Sequence, residues 1–73
     1  MRTAVFKSYK NGYFIFWFEN GEELAFEEVH PRVLKQFDLK NNKEFKDKEF
    51  RITFVEDEDG EDVIYRVESL KPL

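Results

Sequence analysis

Between Tyr13 and Phe18 the alternation of polar and apolar positions stops, and five of the six residues in Tyr13-Phe14-Ile15-Phe16-Trp17-Phe18 carry aromatic rings. The run lies between Asn11-Gly12 and Asn20-Gly21, pairs that favour tight hairpin turns because both residues tolerate a positive φ. This pattern predicts the middle strand of a three-stranded meander. Residues 3–9 form the first strand, ended by Lys10-Asn11-Gly12, and residues 23–27 the third. The third alternates cleanly, with Leu24 and Phe26 on one side and Glu23, Ala25 and Glu27 on the other. The same period turns Phe14, Phe16 and Phe18 inward with Leu24 and Phe26. Tyr13, Ile15 and Trp17 then point outward, beside Lys7 and Tyr9 of the first strand. One ring-bearing face fills a core. The other needs a ligand, or a cover from the segments 31–37 or 41–48.

After Val29 the period changes. Val33, Leu34 and Phe37 have the spacing of one to two helical turns, with Pro31 at the first helical position and His30 as the residue that opens the helix. Lys40-Asn41-Asn42-Lys43 follows as a polar loop. Residues 49–55 alternate again, with Phe50, Ile52 and Phe54 opposite Arg51, Thr53 and Val55. Residues 56–62 form an acidic loop in which Gly60 permits a tight reversal. Residues 63–67 are the last strand, closing at Leu70, and Pro72 stops further pairing. The expected fold is all-β with one short helix, a five-stranded small barrel with the helix between strands 3 and 4. That order matches the oligonucleotide-binding (OB) barrel. Barrels of the Src-homology type place a helical turn between their last two strands, where this chain has its acidic run.

Seventy-three residues make a single domain, 1–73, of a size at which burial scales poorly. With no cysteine there is neither a disulfide nor a thiolate metal site, and the resource for stability is the aromatic content of 18%, nine Phe included. Each buried ring removes on the order of 150–250 Å² from water. No apolar run approaches the ~20 residues of a membrane span, and Met1-Arg2-Thr3 does not open a signal-peptide core, so a cytoplasmic domain without a membrane partner is expected. The net charge of −4 is local: Glu56, Asp57, Glu58, Asp59, Glu61 and Asp62 outweigh it alone, and the rest of the chain is +2. A strongly basic footprint is missing.

Motifs of chemistry are few. Set against the twelve-residue calcium loop with Gly60 as its glycine, Val55 and Arg66 occupy the first and last ligand positions, and the flanks read as strands. A solvated turn whose charge opposes edge pairing fits better. His30 is the only histidine and has no cysteine to share a metal. Ser8 and Ser69 have no base at a recognisable spacing, the three glycines are isolated, and Glu27-Glu28 are adjacent and therefore on opposite faces of a strand. The chain carries no signature of catalysis or of a cofactor.

Gly12-Tyr13-Phe14-Ile15-Phe16, followed by Gly21-Glu22-Glu23-Leu24-Ala25-Phe26, resembles the cold-shock domain. The resemblance implies a five-stranded barrel that binds single-stranded RNA or DNA by stacking bases on surface aromatics. Tyr13 falls on the first exposed aromatic of the family's second strand and Ile15 on the second. Ala25 and Glu27 stand where the third strand has Phe and His, and Phe14 stands where the family has glycine. Lys7 and Tyr9 align with the basic and aromatic positions of the first strand. A carboxylate at Glu27 repels a phosphate backbone, and in the family the acidic loop lies near the oligonucleotide path. The expected contacts are Tyr9, Tyr13, Ile15 and Trp17 for bases, with Lys7 and Lys10 for phosphates. The alternatives are a protein-interaction or homodimerisation module that uses the same apolar patch, and a domain with no separable activity.

Overall fold

The computed structural model describes residues 2–73. In chain order the elements are β1 (Arg2–Lys10), β2 (Tyr13–Phe18), β3 (Glu23–Phe26), β4 (Glu28–Val29), helix α1 (Pro31–Gln36), a 3-10 turn (Lys43–Phe45), β5 (Glu49–Asp59) and β6 (Asp62–Pro72). They form one sheet of six strands in the order β3-β2-β1-β5-β6-β4. The fold is mostly β with little helix, as the periodicity predicts. All pairings are antiparallel except that of β4 with β6. The first hairpin turns on Asn11 (φ 54°) and Gly12 (φ 84°), the two positive values that match a tight turn to the twist of its strands.

Three expectations need correction. The sheet has six strands, not five, because the predicted third strand, 23–27, stops at Phe26 and Glu28–Val29 forms a further strand. Glu23–Phe26 pairs with β2, whereas Glu28–Val29 crosses to the far edge and pairs with Arg66 and Val67. The two end strands of the sheet are thus separated in sequence by one residue. Second, the acidic run is not a loop. β5 continues to Asp59, and the chain reverses at Gly60 (φ 68°) and Glu61. Glu56, Asp57 and Glu58 lie opposite Tyr65, Ile64 and Val63, whose β-branched and aromatic side chains hold a strand that its acidic partner would not hold alone. Third, the last strand runs from Asp62 through Pro72, well past 67. Pro72 is its final residue.

The core agrees with the predicted phase. Phe14, Phe16, Phe18 and Phe26 are buried together with Phe6, Phe50, Ile52, Val67 and Leu70, and Leu24 packs against them. Phe16 meets Phe26 edge-on with ring centroids 5.5 Å apart, and Phe26 meets Phe54 at 5.2 Å. Such edge-to-face pairs add about 0.5–1.5 kcal/mol each beyond burial. Helix α1 contributes the buried Val33, and His30 caps it as expected, its Nδ1 accepting the N–H of Arg32 at 3.0 Å. Bulges interrupt the registers at Lys7 in β1 and at Glu68 in β6. Each adds local twist, so the sheet coils rather than lying flat. Among the described residues no helix is long and apolar enough to cross a membrane.

Candidate functional site

Strand register lays out the outer face row by row, since residues directly opposite in an antiparallel pair share a face. Glu49, Val5, Trp17 and Glu23 make one row, Ser8, Ile15 and Ala25 the next, and Lys10 pairs with Tyr13 at the turn end. Trp17 is 51% exposed and Tyr13 41%, while Ile15 between them is half-buried. Neither the helix nor the loop after it covers these side chains. A shallow hollow of about 330 Å³ opens among Lys10, Asn11, Tyr13, Ile15 and Ala25. Trp17 is oriented by its neighbours: its indole Nε1–H donates to Glu23 Oε1 at 2.6 Å, and the Lys7 ammonium lies over the ring, 4.5 Å from the centroid.

Five of the six predicted contact residues therefore share this face: Lys7, Lys10, Tyr13, Ile15 and Trp17. Tyr9 does not. The bulge at Lys7 shifts the alternation by one residue, so Tyr9 comes opposite Phe14 instead of beside Tyr13, and its ring rests 4.6 Å from that of Phe14. Lys7 is not a free phosphate ligand either. Its Nζ bonds Asp47 at 2.6 Å, an ion pair that holds the Asp47 carboxyl below the usual carboxylate range. Asp47 sits in the left-handed region (φ 66°), where its N–H donates to the Phe6 carbonyl at 2.7 Å. Phe6 N–H returns a bond to Lys48 O at 3.0 Å. The loop before β5 is thereby tied to β1 at the bulge.

That tie creates a feature absent from the sequence-based expectations. Between β1 and residues 39–46 lies a cleft of about 340 Å³, walled by Lys7, Ser8 and Tyr9 on one side and by Lys40, Lys43 and Lys46 on the other. Lys40 Nζ is 5.6 Å from the Tyr9 ring centroid. Among the described residues Lys40, Lys43 and Lys46 form no ion pair. The Lys40-Asn41-Asn42-Lys43 composition signals a polar loop; where that loop docks is a long-range matter.

On the other flank of the face the charge is reversed. The β5–β6 hairpin packs at the β3 side, through Phe54 and Tyr65 against Phe26. Arg66 gathers its acids, bonding Asp57 and Glu68 at 2.8 Å each and approaching Glu28 at 3.7 Å. The bond to Glu68 raises the Arg66 pKa further and lowers that of Glu68. Glu56, Asp57, Glu58, Glu61 and Asp62 do not line the lysine cleft. The aromatic face is thus bordered on the β1 side by Lys7 and Lys10, with Glu49 in the Trp17 row, and on the β3 side by Glu23. A wider hollow of about 620 Å³ around Phe37, Phe45 and Phe50 carries Glu44, Asp47 and Glu49 with Lys48, so its lining is mainly acidic.

Comparison with known proteins finds no matching family model, no matching curated protein and no matching solved structure. The functional reading therefore rests on this geometry. Among the described residues no group of three or more His, Asp or Glu side chains is placed to hold a metal ion.

Proposed function

We propose that the domain is a non-catalytic binding module for single-stranded RNA or DNA, built on an OB-type barrel. The observation that carries this reading is the open platform of Tyr13, Ile15 and Trp17 with Lys10 beside it. Tyr13 and the side of Trp17 that Lys7 leaves open present π-faces on the sheet, and every base has a π-face to stack on them. Barrel closure is supported by the two end strands being one chain segment, interrupted only at Glu27, and by the two bulges that coil the sheet. Amide exchange tests the closure: slow exchange at Glu28 and Val29, as slow as in β1, belongs to a closed barrel, and fast exchange to an open sheet.

Two rings at roughly 1–3 kcal/mol each amount to about 2–6 kcal/mol, short of the ~8.2 kcal/mol of micromolar binding. Phosphate contacts have to supply the difference. Trp17 is the only tryptophan, so its fluorescence reports on the platform. Titration with a ten-nucleotide pyrimidine strand at low salt is expected to quench it, with reversal on adding salt. No quench at ~100 µM strand, the weak end of non-specific binding, would falsify the proposal.

One observation favours a second reading, a protein-interaction or homodimer surface. Glu23 and Glu49 stand in the same row as Trp17, which suits a polar-rimmed protein contact better than a phosphate chain. A red shift of Trp17 emission on dilution, without any response to oligonucleotide, would establish self-association instead.

A further inference from the structure

We infer that the cleft between β1 and residues 39–46 is the phosphate-binding end of the strand path, with Lys40, Lys43 and Lys46 as the cations that hold the backbone as it leaves the platform. The inference rests on the nucleic-acid reading above and adds a direction and a set of ligands to it.

Charge decides the direction. A strand stacked on Tyr13 and Trp17 has two ways off the sheet. Over β3 it meets Glu23 and Glu27. Over β1 it meets Lys10 and then Lys7, which belongs to both places: its ammonium covers Trp17 and its side chain walls the cleft. Carboxylates meet a phosphate on the first route. On the second, Glu49 beside Val5 and Asp47 on Lys7 offset part of the positive charge, and the attraction lies at the turn end, with Lys10 and the lysine cleft.

The cleft also lacks what its charges need. Lys40, Lys43 and Lys46 line one hollow without an ion-pair partner among the described residues, no carboxylate lines it with them, and Asp47 is already bonded to Lys7. Like charges brought together in this way repel, and an entering anion relieves that repulsion. The volume of about 340 Å³ leaves room for a nucleotide unit. Tyr9, which the bulge removes from the platform, is restored to use here, its half-open ring and the Lys40 ammonium facing the same space. The path thus runs from Trp17 and Tyr13, across Lys7 and Lys10, into the lysine cleft.

The test uses a ten-nucleotide oligothymidylate and the full chain, with Trp17 quenching and the salt dependence of affinity as readouts. Single strands lose about 0.7 in the slope of log K against log salt per neutralised phosphate, so the triple variant Lys40→Gln, Lys43→Gln, Lys46→Gln is expected to reduce the slope by about 2. Affinity at low salt should fall at least tenfold, on the order of 1.4 kcal/mol or more, while quenching at saturation persists because the platform is intact. All three lysines are exposed, so the fold is expected to survive, and circular dichroism checks it. Wild-type quenching with an unchanged slope in the triple variant overturns the cleft and leaves the platform standing. An equal loss per charge in Lys35→Gln, Lys71→Gln, two lysines outside the cleft, also overturns it. No binding by the wild type at all removes the platform reading and the cleft with it.

Discussion

The β1–β2 hairpin and the β5–β6 hairpin belong to one sheet and hold together by different means. In the first, each strand is apolar enough to pair on its own account. Phe6 lies opposite Phe16, Ala4 opposite Phe18, and the turn between the strands has two residues made for it. In the second, Glu56, Asp57 and Glu58 would resist any strand made of their own kind. They are held by Tyr65, Ile64 and Val63 across the ladder, and by Arg66, which neutralises acids from both strands. A strand can therefore be specified by its partner. The same comparison explains why one hairpin presents rings to solvent and the other presents charge: each puts outside what its pairing does not consume.

The largest effect separating the two is expected from Phe16→Ala. Phe16 has no exposed surface, and such truncations cost about 3–5 kcal/mol. A core of this size rarely supplies more than about 3–5 kcal/mol. Urea denaturation should find the variant largely unfolded at 25 °C; a midpoint within experimental error of wild type would show that the aromatic meander is not what stabilises the sheet. Next comes the acidic hairpin. Gly60→Ala forces a Cβ into the left-handed region at the tip (φ 68°), a loss of about 1–2 kcal/mol. Hydrogen exchange should rise first at residues 56–65 and leave β1 and β2 protected, and a uniform rise would mean that the hairpin and the meander unfold as one unit.

A smaller shift is expected from acid. Hydrogen bonds to Arg66 and to Lys7 lower the pKa values of Glu68 and Asp47 in the folded chain. A carboxylate with a depressed folded pKa contributes stability above its unfolded pKa and loses it as pH falls through the folded value. The urea midpoint should hold from neutral pH down to the ordinary carboxylate range and decline below it. Arg66→Gln and Asp47→Asn should each flatten that decline. Both pairs are exposed, so added salt should mute the effect. The smallest effect on stability belongs to Trp17→Thr, within about 0.5 kcal/mol for an exposed position that keeps a strand-forming residue. A loss comparable to that of Phe16→Ala would mean that the indole is packed, and the platform would have to be abandoned as a binding surface.

Much of this contrast was legible in the chain. The inward phase of Phe14, Phe16 and Phe18 and the outward phase of Tyr13 and Trp17 follow from a period of two. The hairpin turns and the His30 cap follow from local residue chemistry, Asn-Gly and His-Pro, that each segment carries within itself. The acidic segment misled because charge density resembles a loop when its apolar partner strand is not considered. Tyr9 misled because a single inserted residue reverses every orientation beyond it, and nothing in Phe6-Lys7-Ser8-Tyr9 marks where the insertion falls.

By itself, then, the sequence determined the all-β class with one short helix, and which rings of the second strand line the interior and which look outward. Only the tertiary structure decided that the third strand divides at Glu27 to serve both edges of the sheet, and that β1 bulges at Lys7. It also decided that three lysines of a connecting loop meet Tyr9 in one cleft. The reason is range. Alternation is enforced between neighbours along the chain, whereas the bulge and the cleft depend on contacts such as Lys7 with Asp47, forty residues apart, whose geometry exists only after the sheet has coiled.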